Sequence, residues 1–221
     1  KLIDHAKAQG AKALAITDHG NIFGAVKFFE LCKKSGIKPI LGMEAYMAED
    51  VSERIVDKKY FHLIILVQNE IGYKNLCQLI AYSYKDGFYF KPRIDYKTLE
   101  KYNEGLIVTS ACLGGHIAQL LKSGQEQQAR AQIDWFLQHF GPDRFYFELQ
   151  PEEQQEQIDL NKKLLALSKE LGISCVATTD CHYLNLHDHE AHEVMLAIGT
   201  GKRFDDPTRF SFKECRAYMR S

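Results

Sequence analysis

The chain has 221 residues, 45% of them apolar and 26% charged, with 28 basic side chains against 29 acidic ones. That length suits one large domain or two small ones, and a formal charge of −1 excludes a strongly basic nucleic-acid coat while leaving room for a local basic groove. The sequence has no apolar stretch of membrane-spanning length and no signal peptide, so the expectation is a cytoplasmic chain with no membrane partner.

In chain order, residues 2–9 read as a helix that feeds a first apolar run at 11–17. Residues 22–34 have helical period, place Val26, Phe29 and Cys32 near one face, and stop before Gly36. Apolar runs follow at 39–47 and 61–67, separated by a polar loop over 49–59. A fourth run lies at 106–110. A helix over 125–140 gathers Ile133, Phe136 and Phe140 and is stopped by Pro142; a fifth run follows at 144–150. A helix over 152–171 buries Ile158, Leu160, Leu164, Leu167 and Leu171 and ends at Gly172. The sixth run is 174–178, and a last helix begins within 186–193.

Continuous apolar runs suit parallel strands covered on both faces, and strands alternating with helices predict a parallel α/β architecture. Six strands are one or two short of a closed (β/α) barrel. A helix ahead of the first strand normally follows another strand, so the reading is a fragment, 1–221, of a single domain whose first strand lies upstream of Lys1. The six cysteines (Cys32, Cys77, Cys112, Cys175, Cys181 and Cys215) form no C-x-x-C pair, which predicts reduced thiols and no zinc ribbon.

Metal-type side chains gather at the predicted strand ends. The first run ends in Thr17-Asp18-His19-Gly20, the second reaches Glu44, the fourth leads to Cys112 and the sixth to Asp180-Cys181-His182. In a parallel barrel all strand carboxyl ends share one rim, so Asp18, His19, Glu44, Cys112, Asp180 and His182 are expected to converge. Imidazole, carboxylate and thiolate together suit zinc or manganese. Each residue also has a plainer role: Asp18 as a helix cap, Cys112 as a core thiol. Glu44 in an apolar strand is harder to explain without a partner. Cys181, facing away from its neighbours, is expected to pack. His187, His189 and His192 are expected in surface and capping roles, and His116 in a loop near the rim. No P-loop and no Ser-His-Asp arrangement is visible.

Ala13-Leu14-Ala15-Ile16-Thr17-Asp18-His19-Gly20-Asn21 followed by Phe23-Gly24-Ala25-Val26 resembles the second motif of the polymerase and histidinol phosphatase (PHP) family. Later runs agree in order: Gly42-Met43-Glu44, Phe61-His62-Leu63, Lys91-Pro92-Arg93-Ile94-Asp95, Ser110-Ala111-Cys112-Leu113-Gly114-Gly115 and Thr179-Asp180-Cys181-His182. The third and fourth of these resemble the polymerase branch, the PHP domain of bacterial DNA polymerase III alpha subunits. The resemblance implies a distorted seven-stranded barrel holding up to three divalent ions, zinc or manganese. It implies His19, Glu44, His62, Cys112, Asp180 and His182 as ligands, with Asp18, His19 and Asp180 in catalytic positions and Asp18 orienting a ligand. His62 enters only through the resemblance, since it begins the third predicted strand instead of ending it. The family's His-x-His motif is expected upstream of Leu2.

The implied activity is metal-dependent 3′–5′ exonuclease or phosphodiesterase chemistry within a DNA-directed DNA polymerase, without polymerase chemistry in this chain. Implied partners are a DNA 3′ end and other replicase subunits, with Lys91 and Arg93 as weak candidates for DNA contact. Two other readings stay open: a structural docking module, and a stand-alone phosphatase.

Overall fold

The computed structural model describes residues 1–54, 60–213 and 215–220. Its strands are β1 Ala13–His19, β2 Lys38–Ala48, β3 Phe61–Val67, β4 Phe88–Tyr89, β5 Lys91–Asp95, β6 Leu106–Thr109, β7 Phe145–Leu149 and β8 Cys175–Ala177. Its helices are α1 Leu2–Ala8, α2 Ala25–Ser35, α3 Glu70–Lys85, α4 Tyr96–Lys101, α5 His116–Lys122, α6 Glu126–Phe140, α7 Gln155–Leu171 and α8 His189–Thr200. All six apolar runs are strands. The elements between residues 68 and 105 had no such signal, because β4 and β5 are short and the Lys91-Pro92-Arg93 run is not apolar.

The strands form one curled sheet, an incomplete barrel in a mixed α/β fold. β2 is long enough to pair twice along one edge, with β1 over Lys38–Glu44 and with β5 over Tyr46–Ala48, both parallel. Its other edge pairs with β3, and the sheet continues through β6 and β7 to β8. Among the described residues no strand pairs with the outer edges of β1 and β8.

The expectation of an all-parallel sheet is corrected at β3, which runs antiparallel to both β2 and β6, and at the β4–β5 hairpin. A parallel crossover needs a connection that climbs back along the sheet, usually a helix. The described part of the connection from β2 to β3, through residue 54, contains none. The rest of the predicted loop, 55–59, lies outside the described residues.

The main core lies between the sheet and helices α3 to α7, where Met43, Ile65, Leu76, Leu79, Val108, Ile133, Phe145 and Leu164 are buried. A second cluster joins Ile3, Ala6, Phe28, Cys32 and Ile37. The buried stripe of α2 is Ala25, Phe28 and Cys32, so the expected face is rotated: Val26 and Phe29 are 69% and 45% exposed. No helix of the described residues is long and apolar enough to cross a membrane.

The first turn of α3 is set by Asn69, whose Oδ1 accepts from the Gly72 N–H at 3.0 Å. It also presses against the residue preceding β6: a Cβ on Gly72 would stand 1.8 Å from the Gly105 carbonyl oxygen. Gly172 ends α7 at φ +69° with open space around it. Gly72→Ala should therefore cost at least about 2 kcal/mol by overpacking, against about 1 kcal/mol for the left-handed strain of Gly172→Ala. Urea unfolding of both variants checks the order; equal losses would contradict the contact.

Candidate metal centre

Strand register brings the first three side chains together. His19 of β1 is directly paired with Glu44 of β2. On the antiparallel side Tyr46 pairs with His62 and Glu44 with Ile64, so His62 is the diagonal neighbour of Glu44 on the same face. Because β3 is reversed, its first residues lie at the rim where β1 ends. His19 ends β1 as the strand-end rule expects, whereas Glu44 sits inside the long β2 and His62 begins the reversed β3.

His62 Nδ1 lies 2.7 Å from Glu44 Oε1, and His19 Nδ1 lies 3.5 Å from Glu44 Oε2. One ligand atom from each of the three falls within 4.8 Å of the others. Glu44 is buried. Burial works to raise its pKa, but the hydrogen bond from His62 and the nearby His19, His62 and His182 outweigh it, and the net shift is downward. Burial lowers the pKa of His19; Glu44 opposes this, while His62, His182 and Lys91 add to it.

The remaining expected ligands border this cluster. Cys112 Sγ is 3.5 Å from His62 Nδ1 and accepts the Gly114 N–H at 3.4 Å. The His182 ring lies 6.1 Å from the His19 ring. Its Nδ1–H donates to the Asp180 carbonyl at 2.6 Å. A carbonyl can only accept, so Nδ1 carries a proton, and in the neutral ring the lone pair is on Nε2. Asp180 is pushed up to about 6, chiefly by burial and then by the charge of Glu44, against the pull of His182. Burial, followed by the charges of Asp180 and Glu44, raises the Cys112 thiol. Carboxylates and a thiol crowded this way repel one another in their ionised forms. A divalent cation among them reverses that balance, so the donor set fits a metal.

Other expectations are corrected. Asp18 is on the opposite side of β1 from His19; its Oδ2 lies 3.3 Å from where a Cβ on Gly24 would stand, ahead of α2. Cys181 is exposed, its thiol donating to the Tyr183 carbonyl at 3.2 Å. His187 is exposed, whereas the His192 ring packs 5.6 Å from that of His182, and capping there is done by Asn185 and Asp188. His116 opens α5, stacked on Phe61 with ring centroids 4.0 Å apart and Nδ1 2.6 Å from the Tyr96 hydroxyl. Arg93 is 5% exposed and gives its N–H groups to the carbonyls of Val51, Glu53 and Gly87. It is structural, and no role in DNA contact follows. Lys91 is exposed at the rim.

A family model described as PHP domain matches residues 1–152. The chain belongs to the PHP domain family. Over its whole length it is 44% identical to the DNA polymerase III subunit alpha of Borreliella burgdorferi and 40% identical to that of Treponema pallidum. Over 95% of its length it is 41% identical to that of Thermus aquaticus. It spans about a fifth of these relatives, 19%, 19% and 18% of their lengths. An amidohydrolase from Chromobacterium violaceum, solved with bound sulfate and no metal, shares 14% identity with a TM-score of 0.47, covering 81% of this chain and 79% of its own; a likeness that loose carries no argument.

In this PHP site one buried carboxylate went unremarked in the sequence. Glu148, next to the last residue of β7, accepts hydrogen bonds from the hydroxyls of Thr109 and Thr178 and from Gln150 Nε2, the last two at 2.5 and 3.1 Å. Its N–H donates to Ser110 Oγ at 2.9 Å. The strand leading to Cys112 is thereby tied to the one leading to Asp180 and His182. Its sequence signal was the one noticed at Glu44: a carboxylate in an apolar strand. The positive-φ non-glycine residues among those described are Phe90, Ala111 and Asp180. Two of these adjoin or belong to the expected ligand set, where strain needs firm surroundings. Glu148→Ala, which strands three donors, should cost about 2–4 kcal/mol, and Glu148→Gln about 1. Urea midpoints decide this; equal losses would mean that the network does not hold the strands.

Proposed function

We propose that the chain is the PHP module of a bacterial replicative DNA polymerase alpha subunit, cytoplasmic, acting as a metal-dependent 3′–5′ exonuclease on DNA. The observation that carries this reading is the His19–Glu44–His62 cluster, with its ligand atoms within 4.8 Å of one another, in a chain whose similar relatives are DNA polymerase III alpha subunits. That similarity favours the polymerase branch over a stand-alone phosphatase.

Zinc or manganese, up to three ions, would be held by His19, Glu44, His62, Cys112, Asp180 and His182. The bound ions would supply Lewis-acid activation of water and of the phosphoryl group. Glu44 keeps the two neighbouring imidazoles in place through its two oxygens. The Asp180 carbonyl holds the His182 ring through Nδ1, which would leave Nε2 as the nitrogen available to a metal. Glu148 holds the two ligand-bearing strands at a fixed spacing.

A docking role is a second reading. It is favoured by the exposed Met195 and Ile198 on α8 and the exposed Phe204 and Phe210 beyond it, an apolar face suited to other parts of a replicase.

The test is a 5′-labelled oligonucleotide with a mispaired 3′ terminus, incubated with the chain and manganese or zinc. Stepwise shortening from the 3′ end is expected, abolished by chelator and reduced about 100-fold or more in Glu44→Gln. Shortening that persists in Glu44→Gln, or none with either ion, would leave the docking reading.

A further inference from the structure

Beside the cluster lies a row of aromatic and cationic side chains that no ligand role accounts for. β1 runs out at His19, and β5 takes over the same edge of β2 at Arg93. The junction between them is tight: a Cβ on Gly20 would stand 2.7 Å from Pro92 Cγ. This places Lys91 beside the site. Its Nζ lies 5.4 Å from the centroid of the Tyr46 ring, and Tyr46 stacks on His19 at 5.8 Å and meets Tyr60 edge-on at 4.8 Å. Tyr60 in turn stacks 6.3 Å from His62. Tyr46 is buried and serves as the floor; Tyr60 is 37% exposed.

Next to Lys91 in the chain is Phe90, the residue between β4 and β5. It is 72% exposed and held at φ 57°, a conformation that glycine takes freely and a bulky side chain resists. An exposed aromatic ring on a left-handed backbone gains little from packing, which points to a binding role. Its presentation is built from below. Arg93, anchored by three carbonyls, lies under the Tyr89 ring at 5.3 Å, and Tyr89 meets Phe90 edge-on at 4.6 Å.

Exposed rings accompanied by an exposed lysine match single-stranded nucleic acid, whose unstacked bases offer π-faces beside a regular anionic backbone. A duplex keeps those faces hidden. We propose that Phe90, Lys91 and Tyr60 form a subsite for the unpaired 3′ end of a DNA strand. The rings take base faces, the ammonium takes a phosphate, and the terminal phosphodiester is led to the His19–Glu44–His62 cluster. This rests on the nuclease reading for its purpose, though not for its binding test.

The experiment is fluorescence anisotropy with the 221-residue chain and chelator, using 5′-labelled duplexes that are blunt or carry a four-thymidine unpaired 3′ tail. The tailed duplex should bind at least about tenfold tighter than the blunt one, and Phe90→Ala should lose about tenfold of that affinity. Phe90→Gly, which relaxes the backbone and so does not lose the fold through strain, should lose as much, and Phe90→Trp should retain binding. Lys91→Gln should weaken binding and lower the salt slope by about 0.7. Tyr73→Ala, an exposed aromatic change on α3 at the opposite rim, should leave binding unchanged. Equal affinity for both duplexes, or binding indifferent to Phe90→Gly, overturns the subsite. Phe90-dependent binding of the tail with no hydrolysis under any metal sinks the nuclease reading and leaves the subsite standing.

Discussion

A carboxylate removed from water must be neutralised, protonated or paired, and Glu44 is paired on both sides by imidazoles from adjacent strands. This contact exists because β3 runs opposite to β1. With all strands parallel, His62 would begin its strand at the far rim, and Glu44 would meet one histidine instead of two. The reversal follows from a connection that lacks a helix over its described length, so a local feature of the chain decides the composition of the centre.

The same economy of position explains the supports around it. Glu148 gathers two threonine hydroxyls and a glutamine amide across β6, β7 and the segment after β8. The left-handed residues Ala111 and Asp180 sit where those strands give way to the turns that carry Cys112 and His182. Burial first, then the charge of Glu44 and more weakly that of Glu148, pushes Asp180 up to about 6 against the pull of His182. A divalent cation would relieve the crowding of these donors.

How much of this could be read from the chain follows from the kind of signal each feature leaves. Apolar runs mark strands because burial demands them, and all six runs are strands. Strand direction leaves no such mark, since 61–67 is apolar whichever way it runs; His62 therefore came only from motif resemblance. The face of α2 was misread because Val26 and Phe29 are apolar yet exposed, while the buried stripe uses Ala25. Arg93 and Lys91 look alike in a motif, but one is spent on backbone carbonyls and the other faces solvent. The exposure and backbone strain of Phe90, on which its proposed role rests, exist only in three dimensions.

The central claim is that the reversed strand delivers His62 to a centre shared with His19 and Glu44. Calorimetric titration of the metal-stripped chain with zinc or manganese, beside His62→Ala, tests it most directly. Tight binding to the parent chain is expected, with affinity lower by at least about tenfold, or one fewer ion per chain, in His62→Ala. Identical affinity and stoichiometry in the two proteins would contradict it.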